Sequence, residues 1–421
     1  MKLPEPGPLG HPLSRLALLA ALALLASGCS WFSWLPWVDD KGDDLDKPAE
    51  LVKFKEEVRL KTSWSKKIGD GLGKKYLKLA PVIVADRVIA ADGYGYIAAH
   101  DRFTGKRQWR VQLASPEEHG FFDFNLMSRR DDSFVSGGVG AGDGRILLGT
   151  TRADVIAMSV ADGSEQWRSR VSSEVVSAPS ASGGKVFAQT SDGRLVALDG
   201  ATGARIWTYD TQVPILTLRG TSSPVVRGGT VYAGFANGKI GAFRTGNGEL
   251  LWEQRIMLPQ GRSELDRIVD VDGNVLVDSQ GAIFAASFQG RIKAMRPSDG
   301  SVVWERDVSS YRNLAEGYGH VYVVDDLDIV TAIDKRTSDI VWTQAGLYKR
   351  KLSSPIAFSN YLVVGDGDGY LHVLAQSDGR FLGRRKIDGD GLSASLVVAD
   401  GTLFCLSNGG KLVALTIVKR G

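Results

Sequence analysis

Cysteine, methionine and histidine are nearly missing from this chain of 421 residues, with two, five and five copies. Two cysteines make no disulfide framework, and five scattered histidines leave no metal-ligand spacing. Charge of one sign is lacking too. The formal net charge is +3, and removing a leader that carries Lys2, Arg15 and Glu5 leaves about +2. With no basic block or stripe, nothing points to a nucleic-acid partner. Proline is sparse at 14 copies against 50 glycines, a mix that suits many short strands joined by tight turns and not disorder. The apolar run Leu16–Ala26 covers eleven residues, too few to span a bilayer as a helix.

What the chain does have is one phrase written repeatedly. An Ala is followed six residues later by a Gly, and four residues after that by a Trp. It reads Ala99-His-Asp101-Arg-Phe-Thr104-Gly105-Lys-Arg-Gln-Trp109, then Ala157 to Trp167, Ala197 to Trp207, Ala242 to Trp252 and Ala294 to Trp304. A sixth copy, Ala332 to Trp342, has Ser338 at the turn Gly. A worn seventh, from Val373, puts Gly383 at the Trp position, and an eighth passes Asn408-Gly409-Gly410 to Ala414 before the chain ends. A period of this size signals propeller blades rather than helical arrays, and it overrides the length-based expectation of two or three domains.

Within each unit, apolar runs of four to seven residues are bounded by Asp-Gly or Thr-Gly, which is the pattern of strands in hairpins. Four such strands make a blade. Gly supplies the positive φ of the turn. The indoles of Trp109, Trp167, Trp207, Trp252, Trp304 and Trp342 give large apolar faces to wedge between blades, and truncating one should cost ~3–5 kcal/mol. The eighth unit lacks its outer strand, whereas Leu60-Lys-Thr-Ser-Trp64-Ser near the N-terminus is an orphan strand with a Trp in the right place. The expectation is an all-β, eight-bladed propeller over 59–421. Its four-stranded antiparallel blades are closed by the N-terminal strand, which leaves no long unpaired edge at the join.

The leader reads as a secretory segment, with Lys2 and Arg15 flanking the apolar run. It ends in Leu25-Ala26-Ser27-Gly28-Cys29, a sequence similar to a bacterial lipobox in which Cys29 is lipidated. An ordinary signal peptide with a chance Cys is the bland alternative. The expected division is therefore 1–28 signal peptide, 29–58 lipid-anchored flexible tether and 59–421 propeller. With Ser30 rather than Asp after the Cys, the resemblance implies the outer membrane, periplasmic face, anchored and not spanning. The aromatics Trp31, Phe32, Trp34 and Trp37 suit either the lipid headgroup level or packing on the body.

Sites of chemistry are few. Gly69 to Gly73 and Gly138 to Gly142 read as turn glycines and not phosphate loops. Asp366-Gly-Asp368-Gly369 and Asp388-Gly-Asp390-Gly391 read as hairpin turns, without a full calcium loop. His100, His119, His320 and His372 read as ordinary surface or turn residues, and Cys405 as an inert strand thiol. The distinctive segment is Pro214-Ile-Leu216-Thr-Leu218-Arg219-Gly220, where Leu216 and Leu218 alternate onto one side. One blade later comes a stretched loop, Ser263-Glu-Leu265-Asp266-Arg267-Ile-Val-Asp270-Val271-Asp272. Two apolar anchors, an Arg and paired carboxylates make a protein-docking patch plausible; a channel-lining role for Arg219 is the structural alternative. A second stretched unit, 115–137, carries extra loop without a readable role.

The repeat phrase resembles the tryptophan-docking motif of quinoprotein-type propellers. Together with the lipobox, the chain from Cys29 on resembles the BamB family, lipoproteins of the outer-membrane β-barrel assembly machinery. The resemblance is most specific at Leu216 to Gly220, at Glu264 to Asp272, and at Val363-Val-Gly365-Asp366-Gly-Asp-Gly369-Tyr370-Leu371-His372. It implies a non-catalytic scaffold without a cofactor or metal. Leu216, Leu218, Arg219, Asp270 and Asp272 would contact the POTRA repeats of BamA, the central barrel protein. Unfolded outer-membrane protein precursors are a further candidate partner, held by β-addition at open blade edges. The rivals are a quinone-cofactor dehydrogenase, whose calcium ligands and catalytic Asp are not evident here, and a lipoprotein adaptor with another partner.

Overall fold

The computed structural model describes residues 47–72, 77, 79–113, 134–218 and 222–420. Among them, thirty-two strands form eight four-stranded antiparallel sheets, and no helix appears. Seven sheets are built from four consecutive strands. The eighth takes Val397–Ala399, Thr402–Leu406 and Lys411–Lys419 from the C-terminus and Val58–Lys67 from the N-terminus. The expected eight-bladed propeller with a shared last blade is the observed architecture. Cys29 and the leader lie outside the described residues, as does most of the 115–137 loop, including His119.

The repeat phrase has a structural translation. Its Ala lies on the third strand of a blade, directly opposite the Trp on the fourth: Ala99 faces Trp109, Ala157 faces Trp167, and Ala414 faces Trp64 across the closing pair. Between Ala and Trp the ladder slips by one residue, so that Ala99 pairs with Trp109 but His100 pairs with Arg107. The same bulge recurs ahead of the Trp position in every blade. A bulge re-aims the side chain that follows it, and here each indole is turned onto the next blade. There its Nε1–H donates to a carbonyl: Trp64 to Arg102, Trp109 to Val160, Trp167 to Gly200, Trp207 to Thr245, Trp252 to Pro297, Trp304 to Lys335 and Trp342 to Gln376, at 2.8–3.1 Å.

The turn Gly is explained by the same contact. A Cβ built on Gly105 would lie 2.7 Å from the Trp64 ring, and one on Gly163 would lie 2.7 Å from Trp109. Both glycines also have positive φ, +70° and +76°, so two independent constraints exclude a side chain there. Three of the turns are held by the Asp that opens them, Asp101, Asp199 and Asp334. The Asp199 carboxylate accepts from the Ala201 and Thr202 amides and the Thr202 hydroxyl at 2.8–3.0 Å, and the Thr202 hydroxyl bond is the main reason its pKa is lowered.

The core lies in the layers between neighbouring blades, lined by the second and third strands. Ahead of the first strand, a belt of small polar residues links one blade to the next: the Ser223 amide donates to Asn274, the Asn274 amide to Asn313, and the Asn313 amide to Ser354. The Asn313 Nδ2 reaches past blade seven to the Ser395 hydroxyl of blade eight at 3.2 Å.

Residues ahead of the closing strand already pack on the body. Within the stretch expected to be a tether, the Ala49 amide donates to Tyr348 at 2.9 Å and the Glu57 amide to Leu382 at 2.8 Å. Phe54 stacks on Phe381 at 5.3 Å.

Candidate functional site

Two connections between blades form the expected docking patch. One runs from the outer strand of blade three (Arg205–Asp210) to the first strand of blade four (Val225–Arg227) and carries Leu216 and Leu218. The other runs from the outer strand of blade four (Leu250–Arg255) to blade five (Leu276–Val277) and carries Asp270 and Asp272. They meet where the Leu218 amide donates to Asp270 Oδ2 at 2.7 Å, besides the Ser223–Asn274 bond of the belt. The loop around Leu216 is a bend with no strand, so it lacks the pleat on which the expected alternation of Leu216 and Leu218 rested.

The apolar part of the patch is exposed. Leu216 is 41% and Leu218 39% accessible, but the most exposed member is Ile215 at 88%. Sequence reasoning passed over Ile215 because the Leu-x-Leu pattern drew attention to its neighbours; Pro214 before it breaks strand geometry and would have been the usable signal. Leu265 and Leu258 of the second loop are exposed as well. That loop is braced by a reciprocal pair, with the Ser263 amide donating to Asp266 Oδ2 and the Asp266 amide to Ser263 Oγ, both at 3.1 Å. The Ser263 hydroxyl first, and the Ser263 amide second, hold the Asp266 carboxyl below its ordinary pKa by hydrogen bonding to it.

The carboxylates behave differently from the leucines. Asp270 is fully buried and Asp272 nearly so. Burial, with the neighbouring Asp272 charge second, pushes the Asp270 carboxyl up to about 7, against the lowering effect of the Leu218 amide. Among the described residues its second oxygen, Oδ1, has no hydrogen-bond partner. In the free chain Asp270 therefore faces the underside of the Leu loop and not solvent. Arg219 lies outside the described residues. Beside the loop, a small cleft opens between blades three and four, lined by Val213, Thr217, Val176, Gln189 and Phe235.

The other candidates resolve into structure. Asp366 accepts from the Asp368 and Tyr370 amides at 3.0 and 2.8 Å, which is the hairpin turn expected. The stretch Asp388 to Gly391 is a loop between blades seven and eight instead of a hairpin. His100 and His372, expected at surface or turn positions, are buried. Arg384 Nε donates to His372 Nδ1 at 3.1 Å, which leaves the imidazole proton on Nε2, directed at Asp366 Oδ2 at 2.9 Å. Arg350 closes the cluster on Asp366 and Asp368 at 2.8 and 2.6 Å. Cys405 is buried in its strand, its thiol pushed up to about 12 by burial. Among the described residues no group of three His, Cys, Asp or Glu side chains is placed to hold a metal ion.

Known proteins share this fold and sequence. A protein family described as outer membrane protein assembly factor BamB matches residues 93–344. The BamB of Pseudomonas aeruginosa is 42% identical over 370 residues, 88% of this chain and 92% of that protein. The crystal structure of BamB from Moraxella catarrhalis superposes with a TM-score of 0.74 at 26% identity, covering 85% of this chain and all of that one. A quinohemoprotein alcohol dehydrogenase from Comamonas testosteroni also superposes, with a TM-score of 0.65 over 85% of this chain and 76% of its own, but at 14% identity it shares the propeller alone. On the extent of these matches, the chain belongs to the BamB family of outer membrane protein assembly factors.

Proposed function

We propose that this protein is a non-catalytic scaffold of outer-membrane β-barrel assembly, docking through the Leu216–Leu218 loop onto the POTRA repeats of BamA and aiding delivery and insertion of barrel precursors. The observation that carries the reading is the exposed apolar loop held in place from below by a buried carboxylate. An unsupported loop would lose conformational entropy on binding, and one already pinned at the Leu218 amide loses less. Ile215, Leu216 and Leu218 supply the apolar centre, with Arg219 the polar contact beside them. Asp270 and Asp272 act as the loop's support and as the negative field beneath it. Lipidation at Cys29 would keep the body at the periplasmic face of the outer membrane.

The test is capture of BamA by the full chain in which Leu216, Leu218 and Arg219 are changed together to Ala. Loss of capture with an unchanged unfolding midpoint is expected; retained capture would remove the loop from the interface. A Cys29→Ser chain should leave the membrane fraction while still capturing BamA in detergent extracts.

A further inference from the structure

The outer strand of blade seven, Phe381–Lys386, is covered by the chain's own residues 49–57, which run over it as a strap without strand structure. The Glu57 amide donates to the Leu382 carbonyl at 2.8 Å, Phe54 stacks on Phe381 at 5.3 Å, and the Ala49 amide donates to Tyr348, in the connection that leaves blade six. Leu382 is consequently 5% exposed, whereas Leu251, Val303 and Val341, at the same position of blades four to six, are 41–54% exposed. A segment ahead of a domain lies down on it only where something ties it there.

Two arginines supply the tie. Arg350 Nη1 donates to the Ala49 carbonyl and Arg384 Nη1 to the Val52 carbonyl, both at 3.0 Å. The Arg384 guanidinium also lies over the Phe54 and Phe381 rings, 5.1 and 5.5 Å from their centroids, within the range of cation–π attraction. Behind the strap, the fully buried Asp366 and His372 orient both guanidinia. Arg350 Nε donates to Asp366 Oδ2 at 2.9 Å, His372 Nε2 donates to the same oxygen at 2.9 Å, and Arg384 Nε donates to His372 Nδ1 at 3.1 Å. The row Arg350–Asp366–His372–Arg384 thus runs through the blade and grips the strap at both of its ends. A guanidinium already fixed on its far side needs little further ordering to hold a carbonyl, and its charge strengthens the bond.

Directly after the strap comes the strand that closes the ring. Val58 pairs with Lys419 and Lys67 with Lys411, so a pull from the N-terminal side would open this ladder from Val58, one pair at a time. We propose that Arg350 and Arg384, positioned by Asp366 and His372, form a latch that stops motion of the tether at the strap and keeps it off the closing strand, an inference that rests on the anchoring at Cys29 proposed above. Residues from Pro48 onward form one compact unit with the propeller. Without the latch, an anchored body would hang from the one strand that keeps its ring shut. With it, a pull meets the Ala49 and Val52 carbonyls first, and both must let go before Glu57 and Val58 are reached.

The experiment pulls single molecules of the full Cys29→Ser chain in optical tweezers, through handles on Val38→Cys and Gly421→Cys. Cys405 is buried and takes no handle. At constant force, opening of 58–67 is the first step in extension. Replacing residues 49–56 by Gly and Ser at equal length, which leaves every blade side chain in place, should raise the opening rate about tenfold or more. Arg384→Gln should raise it by a smaller factor, and Arg244→Gln, from an exposed pair with Glu249 on blade four, should leave it unchanged. Without force, trypsin should cut the Arg384→Gln chain after Lys53 and Lys55 about tenfold faster than the parent while 58–67 stays protected. Equal opening rates in the parent and the strap-replaced chain overturn the proposal. So does an Arg384→Gln chain that behaves as the parent, which would leave the strap a cover for Phe381 and Leu382 alone. Loss of protection at 58–67 without force overturns it as well, since the strap would then belong to the closing blade and latch nothing. Failure of the anchor reads differently: a Cys29→Ser chain that stays with the membrane fraction refutes the anchoring and leaves the pulling results as they are.

Discussion

Seven of the eight blade junctions are made one way and the eighth another. At the seven, an indole from one blade lies on the turn of the next and donates a hydrogen bond into it, with an Ala behind the ring and, in six turns, a Gly beneath it. Between blades seven and eight there is no such turn, because the outer strand of blade eight arrives from the other end of the chain. Gly383 stands where the Trp would be, and a Cβ there would already lie 2.8 Å from the Val58 carbonyl. Across the strand pair Val373 replaces Ala, so the bulk given up at one position is partly restored at the other. The missing Trp is thus not decay of the repeat. A side chain that fits against a turn cannot fit against an incoming strand, and the closing junction is held instead by the Glu57–Leu382 backbone bond and the Arg380–Glu57 ion pair.

The largest effect that would break this comparison is loss of a regular junction. Trp167→Ala removes a ring that is 8% exposed together with its bond to Gly200, and should cost ~3–5 kcal/mol in urea unfolding. A cost under ~1 kcal/mol would mean that the blades lock by their strand cores alone. The converse substitution is next. Gly383→Trp writes the regular phrase into the irregular junction and should destabilise by ~3 kcal/mol, the upper end of overpacking, by driving Val58–Lys67 from its edge. Neutral behaviour would show that the closing strand can move aside and that the difference between the two junction types is accidental.

Much of this was legible in the residues. The Ala–Gly–Trp phrase and the orphan strand around Trp64 are local and periodic, and they sufficed for blade number and closure. What the phrase does not carry is why Gly383 departs from it, since the cause is Val58, more than three hundred positions away. The docking loop was legible through Leu216, Leu218 and the Asp-x-Asp stretch, but not its depth. Burial of Asp270 comes from a loop folding over it from another blade. His372 was misjudged because its partners come from its own blade, Asp366 from the hairpin turn six residues before it and Arg384 from the position opposite on the outer strand. Exposure of Ile215 followed from a bend that no apolar pattern announces.

A subtler contrast sets the indole junctions against the connection at Asp270. Indole-to-carbonyl bonds do not titrate between pH 4 and 8, whereas the Asp270 carboxyl is raised in the fold from 3.8 to about 7. Because the folded state keeps the proton over that window and the unfolded chain does not, stability should fall as pH rises from about 4 to 7 and level off above, with a slope of up to ~1.4 kcal/mol per pH unit. Asp270→Asn should flatten that part of the profile while Trp167→Ala shifts the whole curve without changing its slope. Urea midpoints of the three proteins at pH 5 and pH 8 make the measurement, and a parent profile already flat would place Asp270 in water.

The smallest expected effect concerns the one regular junction with an imperfect turn. Ser338 occupies the Gly position opposite Trp304 with φ at +67°, and its carbonyl accepts from Arg306 Nε at 2.6 Å. Trp304 still donates to Lys335 at 2.8 Å, so the junction keeps its bond while the backbone carries a conformation that costs a non-glycine residue about 1 kcal/mol. Ser338→Gly relieves that strain but also loosens the unfolded chain, an opposing term of ~0.4–1 kcal/mol. The two nearly cancel if strain is the only factor. A net gain of about 0.5 kcal/mol is expected because Gly also lets the ring settle closer, as at the six other turns. A thermal midpoint that falls on making this substitution would mean that the Ser338 side chain contributes a contact of its own, and that glycine at the other turns is required by the indole and not by the turn.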